Sequence, residues 1–189
     1  IMKSIDRADF VPSISIHTYS DNPLMIGWNT TISAPYMHML TISYLSKILD
    51  NEKLSTISSS KHSNELSKSI FPSLKGLDIG CGSGYMTLAL SKLLGPNSIV
   101  YGIDHIQEII NYSKSNISKN HKEYIENNRI QFLLMDAQTC IPDEKFDIIH
   151  VGAAVEHFPQ IFFDKMKDGG YMWIPVGPKN AFKNIFLCN

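Results

Sequence analysis

The sequence predicts an α/β protein built on a doubly wound, mostly parallel sheet, and two observations support this prediction. From Lys75 onward, short apolar runs alternate with helix-like segments, as in "GLDIG", "YMTLALSKLL" and "SIVYGID". The apolar runs are continuous in Ile, Val and Leu, which is typical of parallel strands buried on both faces. A chain of 189 residues, 43% of them hydrophobic, is long enough to bury the core of one such domain.

The first predicted element is a helix upstream of the sheet. Apolar residues recur at helical spacing in "YMHMLTISYLSKIL", and Ser33 and Pro35 mark its start, so we predict a helix from Ser33 to Leu49. Residues 50–69 are rich in Ser, Asn and Lys, with scattered apolar residues. We expect an exposed low-complexity insertion there, because too little chain precedes it to form a separate core.

The strands and helices of the sheet then alternate to the end of the chain. Gly95-Pro96 is predicted to end the first helix after the glycine-rich loop, and Gly169-Gly170 to turn the chain into the strand that carries Trp173. The remaining predicted strands and helices of the sheet are the segments "IQEIINYSKSNIS", "RIQFLLMD", "FDIIHVGA", "PQIFFDKM" and "GYMWIPVG".

Composition disfavours several partners and sites. A net charge of -1 gives no basic bias, so we expect neither nucleic acid nor an anionic membrane as partner. The three cysteines form no C-x-x-C pair, which argues against a disulfide framework and against a zinc site, and we expect no metal. No run of about 18 apolar residues and no signal-peptide pattern occurs, so we expect a cytoplasmic protein.

The stretch "LDIGCGSGY" carries the clearest chemistry. A strand that ends in glycines and opens a helix presents backbone N–H groups to a ligand. The spacing Gly80-x-Gly82-x-Gly84 is one residue shorter than the dinucleotide fingerprint, which disfavours NAD. Asp78 precedes the loop, and its carboxylate would repel a pyrophosphate but attract the sulfonium and ammonium of S-adenosylmethionine.

Acidic residues also end the next two predicted strands. Asp104 can accept hydrogen bonds from ribose hydroxyls, and Asp136 lies where an adenine amine would be bound. The alternative is structural: Asp78 would cap its turn and Asp104 the helix that begins near Ile106. The three acids beside a glycine loop favour the Rossmann-like class I methyltransferase arrangement.

The sequence also indicates which kind of group accepts the methyl group. The Asn-Pro-Pro-Tyr-like loop of base-methylating enzymes is missing, and the corresponding loop reads "HVGAAVEHF". A carboxylate acceptor is ionised at neutral pH and needs only an orienting hydrogen bond. Ser33 in "TISAPYMH" provides such a group, and it can also be the helix cap; the two roles are compatible. We interpret His150 as a strand-end residue and Cys81 as a small filler.

The chain resembles protein-L-isoaspartate (D-aspartate) O-methyltransferase. The resemblance runs from Ile1 to about Gly177 and rests on "DRADFVP", "NPLMIGWNTTISAP", "LDIGCGSGY", "GIDHI", "FDIIHVGAA" and "DGGYMWIPVG". It implies methyl transfer from S-adenosylmethionine, leaving S-adenosylhomocysteine, to the α-carboxylate of L-isoaspartyl residues in damaged proteins, with D-aspartyl residues also accepted. It also implies a monomer.

The resemblance also implies site residues. Ser33 would be the active-site serine, and cofactor contacts would come from Thr30, Thr31, Ile32, Ser33, His38, Asp78, Gly80, Cys81, Gly82, Ser83, Gly84, Asp104, His105, Asp136 and Ala137. Ala137 departs from the glycine usual in the family, and its methyl group would crowd the adenine edge.

We expect one methyltransferase domain over residues 1–189, with ends open to truncation because the family has an extra N-terminal helix and a longer C-terminal stretch. Two alternatives stay open: another carboxyl or small-molecule methyltransferase, and a truncated cofactor-binding module without turnover. An NAD oxidoreductase is a distant third.

Overall fold

The computed structural model describes residues 1–59, 72–178 and 183–189, and its N-terminal part precedes the main sheet. Two short 3-10 turns and a small antiparallel hairpin lead into a long helix. These elements are the turns Met2–Ser4 and Arg7–Phe10, strands β1 (Leu24–Gly27) and β2 (Thr30–Ile32), and helix α1 (Pro35–Ser59).

A six-stranded sheet, counted over the described ranges, forms the centre of the fold. Its elements are β3 (Lys75–Ile79), α2 (Tyr85–Leu94), β4 (Ile99–Asp104), α3 (Gln107–Asn120), α4 (Glu123–Glu126), β5 (Ile130–Leu134), β6 (Phe146–Val151), α5 (Gln160–Phe163), β7 (Met166–Val176) and β8 (Asn184–Cys188). The strand order is β5-β4-β3-β6-β7-β8, and every neighbouring pair is parallel except β7 with β8. The predicted doubly wound, mostly parallel sheet is confirmed.

The strand order places the candidate site. From β3 the chain moves outward through β4 to β5, then returns to the other side of β3 with β6, so the order reverses between β3 and β6. Ligands of open α/β sheets bind at such a reversal, beyond the carboxyl ends of the strands. The glycine loop follows β3 at this edge, and the segment after β6 lies beside it.

Helix α1 differs from its prediction. It begins at Pro35 and continues past the predicted end at Leu49 to Ser59, so the first part of the expected insertion is helical. Residues 60–69 of that insertion lie outside the described residues. Extending a formed helix adds one hydrogen bond per residue, whereas starting one is costly, so a polar segment can continue a helix that an apolar segment has nucleated.

The predicted turn at Gly169-Gly170 is wrong, because both glycines lie inside β7. The pairing of β6 with β7 shifts register between Phe146 and Ile148, and Gly169 has a φ of +74°. A glycine with positive φ at a register shift is typical of a β-bulge, which keeps the strand continuous. Gly95, by contrast, follows the last residue of α2 as predicted.

Two apolar clusters cover the two faces of the sheet. One joins α2, α3, the start of α1 and the N-terminal turns, and the other lies mainly among β3, β6, β7 and α5. The largest buried side chains include Phe10 in the first cluster and Phe146 in the second. Both faces are buried, which explains why the central strands read as continuous apolar runs.

Candidate active site

The glycine loop adopts a conformation that few other residues tolerate. Gly80, Gly82 and Gly84 all have positive φ, at 73°, 55° and 85°. The N–H groups of Gly80 and Cys81 both donate to the carbonyl of Ile103, at 2.9 and 3.0 Å, which ties the loop to β4. A Cβ built on Gly82 would meet no atom closer than 3.9 Å, so its outer side is open to a ligand. The loop therefore has the shape of a backbone cradle before α2.

Two buried side chains of α3 hold this cradle from behind. The Ser113 hydroxyl lies 2.7 Å from the carbonyl oxygen of Gly82, and the Asn116 amide donates to the carbonyl of Ser83 at 3.0 Å. Cys81 is also buried, with its sulfur 3.6 Å from the Ser113 hydroxyl, and burial raises the pKa of its thiol well above the ordinary value. Cys81 is therefore a packed thiol, which agrees with its interpretation as a filler.

Asp78 is 1% exposed and fully engaged by side chains. Its Oδ1 lies 2.7 Å from Nδ1 of His150, and its Oδ2 accepts a hydrogen bond from the Thr87 hydroxyl at 2.5 Å. The pair forms because Asp78 and His150 face each other in the parallel register of β3 and β6. Asp78 therefore does not cap the turn that follows it, and its carboxylate lies beneath the glycine loop.

Asp104 contacts both the glycine loop and the start of α3. Its Oδ2 accepts from the N–H of Gly82 at 3.4 Å, and its Oδ1 accepts from the N–H of Ile106 at 3.2 Å. The bond to Ile106 closes a turn just before α3, whose N-cap residue Ile106 makes no side-chain cap hydrogen bond, so the suggested cap of the helix by Asp104 is not observed. His105 is exposed, with Nδ1 3.5 Å from Asp104 Oδ1. The Asp104 carboxylate lies where an adjacent diol could reach it.

Asp136 and Ala137 follow β5 on the outer side of Asp104. The N–H of Met135 donates to the carbonyl of Asp104 at 2.9 Å, which holds the two strand ends together. Asp136 is exposed, and its Oδ1 accepts from the N–H of Gln138 at 3.0 Å within its own turn. Ala137 packs against the second apolar cluster.

A cleft brings most of the predicted residues together. It is lined by Thr31, Ile32, Ser33, His38, Asp78, Gly80, Cys81, Gly82, Ser83, Met86, His150 and Gly152. Thr30 lies close by, 3.9 Å from the position of a Cβ on Gly82. Gly84, Asp104, His105, Asp136 and Ala137 lie outside this lining, toward β4 and β5.

A second crevice adjoins this cleft, and Ser33, His38, His150 and Gly152 line both. The other walls of the crevice are Met37, Thr41, Val151, Trp173, Pro175 and Ile185. Ser33 is thus placed where the glycine-loop cleft meets the crevice. The Tyr36 N–H at the start of α1 is bonded by Asp21 Oδ1 at 2.8 Å, and in the described part of the chain the Ser33 hydroxyl has no hydrogen-bond partner. Its suggested role as helix cap is therefore not observed.

His38 is a neutral group in this wall. It is 6% exposed, its ring stacks on Tyr85 with 4.5 Å between centroids, and its Nδ1 has no partner among the described residues. Burial, together with smaller electrostatic contributions from His150 and Arg7, lowers the pKa of His38 to about 3. An uncharged imidazole at this position avoids repelling a cationic ligand.

The sequence interpretation missed the role of four residues: His150, Gly152, Ser113 and Asn116. His150 is a strand-end residue, as predicted, but its pairing with Asp78 was not inferred, although strand ends of a parallel sheet meet at one edge and that signal could have paired them. Gly152 donates its N–H to the carbonyl of Ile79 at 2.8 Å and touches the loop. Ser113 and Asn116 carried no local signal, since they are polar residues on an amphipathic helix.

The described residues offer neither a metal site nor a membrane span. No group of three or more His, Cys, Asp or Glu side chains there is arranged to hold a metal ion. Within the same ranges, none of the helices combines the length and the apolar character that a membrane span requires.

The glycine cradle, the acids at the strand ends and the strand order define a class I S-adenosylmethionine-dependent methyltransferase. Comparison with known families gives the particular one. The sequence profile described as protein-L-isoaspartate(D-aspartate) O-methyltransferase matches residues 1–60 and 47–188. The chain belongs to this family, which confirms the resemblance inferred from the sequence.

Individual relatives agree with this assignment. The chain is 34% identical to the protein-L-isoaspartate O-methyltransferase of Caenorhabditis elegans, over 93% of this chain and 68% of that protein. It is also 34% identical to the enzyme of Triticum aestivum, over 94% and 68% of the two chains. A Plasmodium falciparum structure described as such a methyltransferase, in complex with S-adenosyl-L-homocysteine, superposes with a TM-score of 0.78 at 25% identity, covering 98% of this chain and 78% of that one.

Proposed function

We propose that this chain repairs damaged proteins by transferring a methyl group from S-adenosylmethionine to the free α-carboxylate of L-isoaspartyl residues, and that it also accepts D-aspartyl residues. The observation that carries the proposal is the position of Ser33, at the junction of the glycine-loop cleft and the adjoining crevice. This position lets one residue contact an acceptor held in the crevice and face a cofactor held by the loop.

The residues present fit the cofactor. The open side of Gly82 and the left-handed backbone of the loop leave room for the methionine part, where a side chain would intrude. Asp104 supplies a buried carboxylate for ribose hydroxyls, His105 lies beside it, and Asp136 with Ala137 is proposed for the adenine. When bound, the cofactor supplies an electrophilic methyl group on a sulfonium.

The chain's own residues act by positioning. The acceptor carboxylate is already ionised at neutral pH, so no base has to remove a proton. The Ser33 hydroxyl donates a hydrogen bond to that carboxylate and fixes the direction of the attacking oxygen. His38 stays neutral and the Asp78 carboxylate lies in the wall of the cleft, so neither of these side chains opposes a sulfonium.

The test is methyl transfer to paired peptides that differ only in aspartate against isoaspartate. We expect base-labile methyl incorporation from labelled S-adenosylmethionine into the isoaspartyl peptide alone. Ser33→Ala should lower kcat by on the order of tenfold to a hundredfold with S-adenosylhomocysteine affinity retained. Ser118→Ala is the matched control, because Ser118 is an exposed serine of α3.

Three other outcomes would separate the alternatives. Equal methylation of both peptides would indicate another carboxyl methyltransferase. Stabilisation by S-adenosylhomocysteine without any methyl ester would indicate a cofactor-binding module without turnover. Stabilisation by NAD instead would overturn the cofactor assignment.

We further propose that residues 1–189 act as one domain with an insertion at about residues 50–69, and that the protein works as a monomer in the cytoplasm. Neither nucleic acid, nor a membrane, nor a metal is proposed to take part. Size-exclusion chromatography coupled to light scattering measures the oligomeric state, and activity in the presence of a chelator tests metal independence. A dimer, or a chelator-sensitive rate, would contradict these statements.

A further inference from the structure

Arg7 is a buried cation whose charge is not used in an ion pair. It lies in the 3-10 turn Arg7–Phe10 and is 5% exposed. Its guanidinium donates to three backbone carbonyls: Nε to Thr18 at 2.9 Å, Nη1 to Ser33 at 2.8 Å and Nη2 to Asn22 at 3.2 Å. Within the described ranges, no carboxylate lies at ion-pair distance from it.

Burying this charge is costly. Burial lowers the pKa of the Arg7 guanidinium, and the neighbouring Tyr85 and Asp21 offset that effect only in part. The nearest acid in sequence, Asp6, is engaged elsewhere, since its Oδ1 accepts from the N–H of Ala8 at 2.9 Å and from the Tyr19 hydroxyl at 2.8 Å. The importance of the guanidinium is therefore the geometry of its donors: three separate nitrogens of one planar group reach three carbonyls, whereas the three N–H groups of an ammonium share a single nitrogen.

The backbone that follows the Ser33 side chain is held by Arg7 and by the 18–22 segment. Arg7 binds the Ser33 carbonyl and also the carbonyls of Thr18 and Asn22. Asp21, from the same 18–22 segment, accepts the N–H of Tyr36 at 2.8 Å. The backbone before Ser33 is held separately, because Ile32 ends β2 and pairs with Leu24 of β1.

We infer that Arg7 is a positioning residue for Ser33: its guanidinium fixes the Ser33 carbonyl and thereby the direction of the Ser33 hydroxyl at the junction of cleft and crevice. The inference rests on the proposed function, in which that hydroxyl orients the acceptor carboxylate. Displacing a reacting group by about 1 Å can cost on the order of a hundredfold in rate, so loosening this backbone should be visible in turnover.

The experiment compares Arg7→Lys with Arg129→Lys. Arg129 is the matched control because its guanidinium also donates to backbone carbonyls, those of Ser91 at 2.9 Å and Gly95 at 3.0 Å, at the end of α2 away from the site. For each protein, kcat and KM are measured with the isoaspartyl peptide, the Kd of S-adenosylhomocysteine by calorimetry, and Tm by thermal unfolding.

We expect Arg7→Lys to lower kcat at least about tenfold while the Kd of S-adenosylhomocysteine changes less than about twofold. Arg129→Lys should lower Tm with kcat unchanged within about twofold, because it loosens a helix end only. An unchanged kcat in Arg7→Lys, or a loss of cofactor affinity as large as the loss of kcat, would overturn the inference in favour of a purely structural role.

A second variant keeps the inference testable if Arg7→Lys fails to fold. Asp21 is exposed and holds the same stretch of backbone at Tyr36, so Asp21→Ala should fold and should also lower kcat while the affinity for S-adenosylhomocysteine is retained. An unchanged kcat there would overturn the inference. A wild-type chain that does not methylate the isoaspartyl peptide would overturn the proposed function and this inference together. If Ser33→Ala lowers kcat but Arg7→Lys does not, this inference is overturned and the proposed function is not.

Discussion

Replacing Gly152 with alanine tests whether the loop after β6 sets the shape of the cofactor cradle. A Cβ built on Gly152 would lie 2.8 Å from the carbonyl oxygen of Gly80 and 3.4 Å from that of Ile79. Both neighbours are backbone atoms, so no side chain can rotate away. The two loops must separate by several tenths of an ångström, and the Gly80 end of the cradle is the part that would move.

The magnitude follows from the size of this overlap. Overpacking a close contact costs about 1–3 kcal/mol. If the strain is relieved by moving the glycine loop, a similar amount is lost from cofactor binding, and about 1.4 kcal/mol corresponds to a tenfold change in Kd. We therefore expect Gly152→Ala to weaken S-adenosylhomocysteine binding by about tenfold, measured by calorimetry, with a modest fall in Tm.

Gly170→Ala is the control, because its new Cβ would also clash with backbone carbonyl oxygens but at a place away from the cofactor cradle. Its Cβ would lie 2.9 Å from the carbonyl oxygen of Phe146 and 3.0 Å from that of Lys167, at the opposite end of β6. This variant should lose stability but keep its affinity for S-adenosylhomocysteine. An equal loss of affinity in both variants, or full affinity in Gly152→Ala, would refute the argument that the Gly80–Gly152 contact shapes the cradle.

Three further predictions concern buried polar groups of the site. The pKa of His38 is lowered from 6.5 to about 3, so the unfolded chain takes up a proton in that window that the folded chain does not, and stability falls as the pH falls through it, by up to about 1.4 kcal/mol per pH unit. His38→Phe should lessen this slope in urea unfolding between pH 7 and pH 5, and parallel slopes would contradict the assignment. Thr87→Val should destabilise the fold by about 1–3 kcal/mol, because Asp78 loses a donor at 2.5 Å, whereas Thr87→Ser should cost less; equal stability of the two in urea unfolding would contradict this. Asp104→Asn should weaken S-adenosylhomocysteine binding by about tenfold in calorimetry, since it removes the charged acceptor for a diol, and should also lower Tm, because the amide has one acceptor oxygen for the two backbone N–H groups that the carboxylate now accepts; unchanged affinity would exclude Asp104 from that role.

Much of the fold could be predicted because its signals are local. The apolar runs of β3, β4 and β6 and the glycine after α2 predicted a parallel sheet and a helix end, and both are observed. The antiparallel strand β8 was not predicted, because its pairing with β7 depends on contacts such as Trp173 with Leu187. The extension of α1 was not predicted either, because a polar composition does not distinguish a helix from a loop. A helix that has already formed can continue into a polar segment.

In the candidate site, as in the fold, the predictable parts are those whose signals are local in the sequence. The glycine loop and the acids at strand ends carry their signals in short motifs, so the sequence could place them near one another. The contacts that fix their orientation join residues far apart in the chain, as with Asp78 and His150 or Arg7 and Ser33. Which partner a buried acid or a buried arginine takes depends on strand register and loop packing, and neither is encoded in local spacing.

The role of Asp78 changes when its partners are known. From the sequence, its carboxylate was expected to attract the charged end of the cofactor directly. In the structure each of its oxygens contacts a protein side chain, His150 or Thr87, and the residue is 1% exposed, so its charge is held inside the fold and hardly presented at the surface of the cleft. The buried acid can still attract a cation, because an electrostatic field acts over several ångströms where water is excluded. Its hydrogen bonds also fix the His150 ring in the wall of the cleft, so Asp78 acts on the ligand through geometry as well as charge.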